Sequence, residues 1–186
     1  MPIERVILWG FMASGKSAVG AGLASRLGWS HLDLDEEIVR RAGKSIARIF
    51  REEGEAAFRA LEAEATHDLL AGSRMVFSPG GGWVTNPGLQ EGIPERTLTV
   101  WLRVSPEMVL ERLRADAGGP ERPLLSTPDP EARIRALLAE REPAYARADR
   151  AVPTDRRSVE SIVAEIEAMV RPTLSPSERR RQTPDG

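Results

Sequence analysis

The sequence predicts an α/β fold in which helices flank a parallel β-sheet. Short apolar runs alternate along the chain with segments of helical periodicity, the pattern of consecutive strand–helix–strand units. The 186 residues, 41% of them hydrophobic, suffice for one such domain with a sizeable core. We therefore expect a single domain over residues 1–171, followed by a polar tail over 172–186 that is expected to be disordered.

The first half of the chain carries three predicted strands. The apolar run Val6–Trp9 is the first, and a helix follows it with valine and leucine at i, i+4 and i+8 over residues 19–27. The second strand is predicted at Ser30–Leu32 and the third at Met75–Ser78. Between these two strands, helical segments are predicted at about 35–42, 45–53 and 55–71.

The second half of the chain carries two further strands. Thr97–Val104 is predicted as the fourth, and Pro106 opens a helix at its first turn, where proline is tolerated. Residues 115–130 are rich in glycine, proline and charge, which indicates a mobile surface loop. The remaining predicted elements are a helix at about 131–148, a short strand at 151–152 and a helix at roughly 158–170.

Composition and charge narrow the class of protein. The formal net charge of -2 gives no general affinity for nucleic acid or acidic membranes. The sequence has no cysteine, which excludes disulfides and fits a reducing compartment. It has no run of about 18 apolar residues that would span a membrane, and its first residues lack the pattern of a signal peptide. We expect a cytoplasmic protein.

Residues 10–17, GFMASGKS, fit the phosphate-binding pattern G-x-x-x-x-G-K-[ST] between a predicted strand and a predicted helix. In this context the backbone N–H groups of the loop and the helix N-terminus converge on phosphate oxygens. Lys16 then brings a positive charge to the β- and γ-phosphates, and the hydroxyl of Ser17 can bind Mg²⁺. The predicted nucleotide-binding residues of the loop are Gly10, Met12, Ala13, Ser14, Gly15, Lys16, Ser17 and Ala18.

Two carboxylates follow the second predicted strand. Asp33 and Asp35 are spaced i, i+2, so in an extended chain both point into the same cleft. One could serve the metal, directly or through water, and the other could accept a proton from an alcohol. Alternatively, Asp35 begins a run of acidic residues that suits the start of the next helix. After the third strand, Gly80, Gly81 and Gly82 leave the backbone open to a ligand.

These motifs together resemble the shikimate kinase family over about residues 4–170. The resemblance implies a P-loop kinase fold of three layers, a five-stranded parallel sheet in the order 2-3-1-4-5 with a mobile lid at about 113–130. It also implies transfer of the γ-phosphoryl group of ATP to the 3-hydroxyl of shikimate, in aromatic amino acid biosynthesis, by a monomer that needs Mg²⁺. The matching segments are the phosphate loop, DLD at 33–35, SIARIFREEGEAAFRALE at 45–62, GGG at 80–82, RPLL at 122–125 and REPAY at 141–145.

The resemblance also implies a role for each matching residue. Ser17 would bind Mg²⁺ directly and Asp33 through water. Asp35 would hold the ring hydroxyls and act as the base, or at least orient the attacking oxygen. Lys16 and Arg122 would stabilise the transferring phosphoryl group, Arg122 from the lid. The implied shikimate contacts are the clamp Arg59 and Arg141, the backbone of Gly80, Gly81 and Gly82, and Asp35; Glu62 would steady Arg59.

The chain departs from the family pattern in the phosphate loop and around the adenine. Ala13 stands where many members have glycine and Ala18 where threonine is usual, yet neither side chain is obligatory, so we expect a working loop. For the adenine, Arg114 (or Arg112) and Arg157 are the predicted contacts, although residues 154–159 lack the proline that is usual there.

Two alternatives to this function remain open at the level of sequence. One is a kinase for another small polyol acid, such as gluconate. The other is a module that senses nucleotide or shikimate without turnover. A GTPase switch is disfavoured because no D-x-x-G or N-K-x-D pattern follows the phosphate loop.

Overall fold

The computed structural model of the protein describes residues 2–115 and 128–171, and these contain a five-stranded sheet. All strand pairs are parallel, and the order is β2-β3-β1-β4-β5, as predicted. The predicted lid and tail fall largely on residues 116–127 and 172–186, which lie outside the described residues. The strands are β1 (Arg5–Trp9), β2 (Ser30–Asp33), β3 (Met75–Ser78), β4 (Thr97–Arg103) and β5 (Arg150–Pro153).

Seven α-helices and one turn of 3₁₀ helix are found among the described residues. Each helix predicted from periodicity or from a proline at its first turn is present within a few residues of its expected bounds, although α6 ends three residues before the predicted Ala148. The helices are α1 (Lys16–Leu27), α2 (Leu34–Ala42), α3 (Ile46–Leu70), α4 (Pro87–Glu91), α5 (Pro106–Ala115), α6 (Pro130–Tyr145) and α7 (Val159–Val170).

Alternate residues of the central strand feed two cores, one on each face of the sheet. Val6 and Leu8 pack with the buried residues of α1 and α7. Ile7 and Trp9 pack on the other face with α2, α3 and Tyr145 of α6. Because β1 is buried on both faces from Val6 to Trp9, these four residues form an uninterrupted apolar run, as expected for a central parallel strand.

The long helix α3 is interrupted at Gly54, where the sequence predicted a boundary between two helical segments. Gly54 has φ 84° and ψ 175°, a backbone conformation that is essentially restricted to glycine. The first segment of α3 contains Ile49, and the second contains Phe58 and Ala65, all three buried. The break therefore lets one chain segment pack two helices of different direction onto the same core.

Two short elements had no sequence prediction. A 3₁₀ turn at Trp83–Thr85 and the five-residue helix α4 lie between β3 and β4. Both are too short for a helical period to register in the sequence. Within the described part of the chain, no helix is long and apolar enough to cross a membrane.

Candidate active site

The phosphate loop joins the end of β1 to the start of α1. Ala13 and Gly15 both adopt left-handed backbone conformations, with φ 57° and 93°. This geometry turns the loop back on itself so that Lys16, the first residue of α1, reaches across it. The Lys16 ammonium donates to the carbonyl oxygens of Gly10 at 2.8 Å and Phe11 at 3.0 Å.

The surroundings of Lys16 change its protonation equilibrium. Burial among the loop atoms lowers the pKa of Lys16 to about 8, although the nearby carboxylates of Asp35 and Asp33 favour its charged form. The guanidinium of Arg141 opposes the charged form. Three predicted site residues therefore act electrostatically on Lys16, namely Asp33 of β2, Asp35 of α2 and Arg141 of α6.

The other loop residues also occupy defined positions. Ser14 is buried, and its hydroxyl has no hydrogen-bond partner in the described part of the structure. A Cβ atom at Gly10 would lie 2.5 Å from this hydroxyl, so the loop needs glycine there. Met12 and Ala18 are exposed.

Asp33 connects β2, α2 and the phosphate loop. Its Oδ2 accepts a hydrogen bond from the hydroxyl of Ser17 at 2.7 Å. Its Oδ1 caps α2 by accepting from the backbone N–H groups of Asp35 at 3.0 Å and Glu36 at 3.4 Å. Asp33 is therefore the N-cap of α2, and Asp35 lies in the first turn of the helix, where the sequence allowed an acidic residue.

Asp35 lies beside Gly80. A Cβ atom at Gly80 would lie 3.0 Å from Oδ1 of Asp35, so a side chain there would press on the carboxylate. Although Asp35 keeps an exposed face, the atoms packed around its carboxyl remove hydration and raise its pKa. Asp33 adds to this increase, and Lys16 opposes it.

Arg59 projects from the second segment of α3 toward Gly82. A Cβ atom at Gly82 would meet the Arg59 guanidinium at 3.4 Å. Nη1 of Arg59 donates to Oε2 of Glu62 at 2.8 Å, and the Glu62 side chain is 1% exposed. Burial raises the pKa of Glu62, and the Arg59 guanidinium opposes that increase. Glu62 thus holds one edge of the Arg59 guanidinium, as the sequence predicted.

Arg141 approaches the middle glycine from α6. Its Nη1 donates to the carbonyl oxygen of Gly81 at 3.3 Å, and its guanidinium lies 5.5 Å from the centre of the Phe11 ring. The hydroxyl of Tyr145 donates to the same carbonyl at 2.6 Å. The three successive glycines therefore lie beside Asp35, Arg141 and Arg59 in turn, which brings the predicted acceptor-binding groups to one loop.

The other side of the phosphate loop faces a cavity of about 450 Å³. Arg112 lines this cavity and donates to the carbonyl oxygens of Ala13 and Thr154, both at 2.8 Å. Arg114, the first choice for the adenine region, is exposed and does not line this cavity. The alternative, Arg112, does line it. The cavity is lined by Ala13, Ser14, Gly15, Val19, Arg112, Arg157, Val159 and Ile162.

The nucleotide contact predicted at Arg157 remains a prediction. This arginine lines the cavity, but Nη1 donates to the carbonyl of Pro153 at 3.1 Å and pairs with Glu165 at 2.7 Å. The predicted lid residue Arg122 lies outside the described residues.

A larger cavity, about 570 Å³, lies between the ends of β4 and β5 and α6. Its charged groups include Arg103, Arg135, Glu142 and Asp155. It contains neither the phosphate loop nor the glycines at 80–82, so its size does not identify it as the centre of the chemistry. The site is defined by its converging functional groups.

Two residues of this region were not singled out by the sequence as site residues. Tyr145 joins the glycine loop to α6, and Phe11 lies under Arg141. For Tyr145 a signal existed, because it follows Arg141 by four residues and therefore shares its helix face. For Phe11, which lies at an unspecified position of the phosphate-loop pattern, no signal existed.

Comparison with known proteins gives a consistent result over most of the chain. A family model described as shikimate kinase matches residues 12–171. The shikimate kinase of Synechococcus sp. (strain JA-3-3Ab) is 46% identical over 160 residues, covering 86% of this chain and 83% of that protein. The shikimate kinase of Symbiobacterium thermophilum is 44% identical over 163 residues, covering 87% and 93%.

Solved structures agree with the sequence relatives. The shikimate kinase from Acinetobacter baumannii in complex with shikimate has a TM-score of 0.83 and 32% identity, covering 93% of this chain and 96% of that one. A gluconokinase from Sinorhizobium meliloti has a TM-score of 0.61 and 20% identity, covering 91% and 92%. At that identity, the second likeness shows a shared fold alone.

Proposed function

The chain belongs to the shikimate kinase family, and from this premise we propose that it transfers the γ-phosphoryl group of ATP to the 3-hydroxyl of shikimate, giving shikimate 3-phosphate and ADP. One observation carries the proposal for this chain. The loop at Gly80–Gly82 gathers a carboxylate and two guanidinium groups beside the phosphate loop that contains Lys16. A carboxylated, hydroxyl-rich ring matches those groups in charge and hydrogen bonding.

In the nucleotide half, the loop at residues 10–17 holds the triphosphate through backbone N–H groups at the start of α1. Lys16 neutralises charge on the β- and γ-phosphates. The cavity beside Arg112 and Arg157 receives the nucleoside, and the planar guanidinium of Arg112 is available to the base.

The oxygen pair of Ser17 and Asp33 fits Mg²⁺. Magnesium prefers hard oxygen ligands, keeps several waters, and uses few protein groups beside phosphate oxygens. A pair of one hydroxyl and one carboxylate suits this preference, and the described residues contain no cluster of three acidic or histidine ligands that would form a full protein cage. When bound, the ion neutralises phosphate charge during transfer. Ser17 would be the direct ligand and Asp33 a ligand through water.

In the acceptor half, Arg59 and Arg141 bind the ring carboxylate. Arginine presents a planar pair of donors that matches a carboxylate in a way that lysine does not. The two guanidinium groups reach the loop from α3 and α6, Arg59 beside Gly82 and Arg141 at the carbonyl of Gly81. The position of the carboxylate between them then directs the opposite edge of the ring, with its hydroxyls, toward Asp35 and the γ-phosphate.

Asp35 receives the proton of the 3-hydroxyl, or holds that hydroxyl in line for attack. The hydroxyl oxygen forms a bond to the γ-phosphorus while the bond from that phosphorus to the bridging oxygen breaks, and ADP leaves with the electron pair. The raised pKa of Asp35 supports the role of base, because a carboxylate with a higher pKa accepts a proton more readily. Arg122 would stabilise the transferring group from the lid.

The proposal includes a monomer in the cytoplasm. The absence of cysteine in the sequence supports a reducing compartment. Gel filtration with light scattering would test the monomer, since a mass near twice 20.4 kDa would reject it.

An assay of ADP release with a panel of acceptors tests the function. With shikimate and MgATP, we expect ADP and an equal amount of phosphorylated shikimate, identified by mass and by ³¹P NMR. Gluconate and quinate serve as control acceptors and should give no release above the rate with ATP alone. Turnover of gluconate without turnover of shikimate would support the alternative kinase, and binding of both ligands without product would support a sensor.

A further inference from the structure

The side chain of Tyr145 ties α6 to the glycine loop of the acceptor site. It is 1% exposed and stacks on Trp101, with ring centroids 5.8 Å apart and planes inclined by 15°. Its hydroxyl donates to the carbonyl oxygen of Gly81 at 2.6 Å. The ring is thus held by the core, and its polar tip contacts the backbone of the site.

Arg141 shares the acceptor of Tyr145. The two residues lie four apart on α6, so both face the glycine loop, and Nη1 of Arg141 reaches the same Gly81 carbonyl at 3.3 Å. A carbonyl oxygen accepts two hydrogen bonds. Since Tyr145 makes the shorter of the two, the weaker contact leaves the Arg141 guanidinium available to a carboxylate.

The direction of the Gly81 carbonyl also determines the direction of the Gly82 N–H. The peptide bond between Gly81 and Gly82 is planar and trans, so the N–H of Gly82 points opposite to the carbonyl that faces α6. Glycine has the least intrinsic preference for any one backbone conformation, so a run of three needs an external contact to define it. The carbonyl oxygens of Gly80 and Gly82 accept from the backbone N–H groups of Trp83 and Thr85, both at 3.1 Å, and the Gly81 carbonyl has Tyr145 as its shortest contact.

We infer that Tyr145 is a positioning residue for the acceptor: by holding the Gly81 carbonyl it fixes the direction of the Gly81–Gly82 peptide and limits Arg141 to a weak contact there, so that the Arg141 guanidinium can bind the ring carboxylate. The inference rests on the proposed function. Tyr145 does not itself touch the reacting atoms; it acts through Gly81 and Arg141.

The hydroxyl is suited to this task at any working pH. Burial raises the pKa of Tyr145 to about 12, against the opposing effect of Arg141, so the group remains a donor. A contribution from Tyr145 should therefore be the same at pH 6.5 and pH 9.

The variant Tyr145→Phe removes the hydroxyl and keeps the stacked ring. We expect the KM for shikimate to rise roughly five- to thirty-fold, the range expected for one buried hydrogen bond. The KM for ATP should stay within about twofold. The increase in KM arises because the Gly81 carbonyl then draws Arg141 toward itself, and because the glycine loop loses its contact with α6.

Thr99→Val is a matched control for the loss of a buried hydroxyl. The Thr99 hydroxyl donates to Oδ2 of Asp149 at 2.7 Å, near the end of β4 opposite to the site. Both variants should lower the melting temperature, but only Tyr145→Phe should change the KM for shikimate. If the two variants lose activity in proportion to their stability, with no selective effect on this KM, Tyr145 is merely structural and the inference is wrong.

A double-mutant cycle gives an independent test. In the background of Arg141→Ala, the additional change Tyr145→Phe should raise the KM for shikimate by less than half of the fold-change that it causes in the unmodified protein. The reason is that the two residues act on one carbonyl. Strict additivity of the two effects would overturn the inference while leaving the phosphorylation of shikimate by the unmodified protein intact. Failure of the unmodified protein to phosphorylate shikimate would overturn both the function and the inference.

Discussion

The hydroxyl of Ser17 donates a 2.7 Å hydrogen bond to Oδ2 of Asp33, which joins the phosphate loop to the end of the neighbouring strand. The other oxygen of Asp33 caps α2, whose first turn contains Asp35. One carboxylate therefore links the proposed metal site with the helix that presents the proposed base.

The substitution Asp33→Asn should raise the Mg²⁺ concentration that the reaction requires. The amide keeps an oxygen for the helix cap but loses the negative charge beside Ser17. We expect the Mg²⁺ concentration for half-maximal rate to rise about 10- to 100-fold, as for other groups that act on a metal through water. Asp68→Asn, which removes an exposed partner of Arg41, is the control and should leave this concentration unchanged. An unchanged requirement in Asp33→Asn would remove Asp33 from the metal site.

Lys16→Met should abolish measurable turnover. The substitution keeps an unbranched side chain but removes the charge that lies at the mouth of the phosphate loop. We expect kcat to fall at least about 10³-fold, the scale on which single charge-stabilising donors act in related transfers. Lys44 is the other of the two lysines in the sequence, and it pairs with Glu52 on the surface. Lys44→Met should retain kcat within about twofold, and comparable losses in both variants would contradict the assignment.

Arg59→Ala and Arg141→Ala should each act mainly on the acceptor. Loss of a charge-assisted contact to the carboxylate should raise the KM for shikimate about 10- to 100-fold and leave the KM for ATP nearly unchanged. Arg48→Ala, an exposed position in the first segment of the same helix as Arg59, is the control. Initial rates measured against each substrate give the result. An unchanged KM for shikimate in both variants would eliminate the carboxylate clamp.

The substitution Arg59→Ala should also lower the free energy of unfolding. It leaves the buried carboxylate of Glu62 without its cation. Arg59→Ala should therefore also lower the melting temperature. The double variant Arg59→Ala/Glu62→Gln should recover part of the stability but none of the affinity for shikimate, which separates the folding effect from the binding effect.

Nucleotide binding should weaken at alkaline pH. The pKa of Lys16 is about 8 in the free protein, and bound phosphates favour the charged ammonium, so the pKa is higher in the complex. Below pH 8 the protonated lysine is already present and the Kd for MgATP should be flat. Above pH 8 binding must recruit a proton, so the Kd should rise by up to about tenfold per pH unit. Isothermal titration from pH 7 to 9.5 measures this, with Lys16→Arg as a variant whose charge does not titrate in that range.

Arg122→Ala should lower turnover more than acceptor affinity. We expect a loss of about 10³-fold in kcat, because an arginine that meets the phosphoryl group only during transfer stabilises the transition state selectively. Glu121 is the adjacent charged residue, so Glu121→Ala is a matched change in the same segment and should leave kcat nearly unchanged. A larger effect on the KM for shikimate than on kcat would assign Arg122 to substrate binding.

The family resemblance implied the sheet order, and the motifs that follow the strands were sufficient for the residues that share one edge of the sheet. In a parallel sheet the carboxyl ends of all strands lie on the same side, so motifs that follow successive strands converge whatever the details of the helices. Ser17, Asp33 and Gly80 come together for this reason, although they are far apart in the chain.

The sequence did not decide which arginine of α5 lies beside the phosphate loop, and the reason is helix geometry. Arg112 and Arg114 lie two residues apart on α5, and residues at that spacing project about 200° apart around a helix. Only the packing of α5 against the phosphate loop decides which of them faces inward, and the contact of Arg112 with Ala13 makes that choice. For Tyr145 the spacing from Arg141 indicates a shared helix face, but its partner is a backbone carbonyl, which no residue type in the sequence identifies.

A crystal structure with shikimate and ADP bound together tests the central claim most directly. We predict that the ring carboxylate lies within hydrogen-bonding distance of both Arg59 and Arg141, with the 3-hydroxyl beside Asp35 and directed at the phosphate loop. A structure in which shikimate is bound while both arginines point away from its carboxylate would contradict this assignment of the acceptor site.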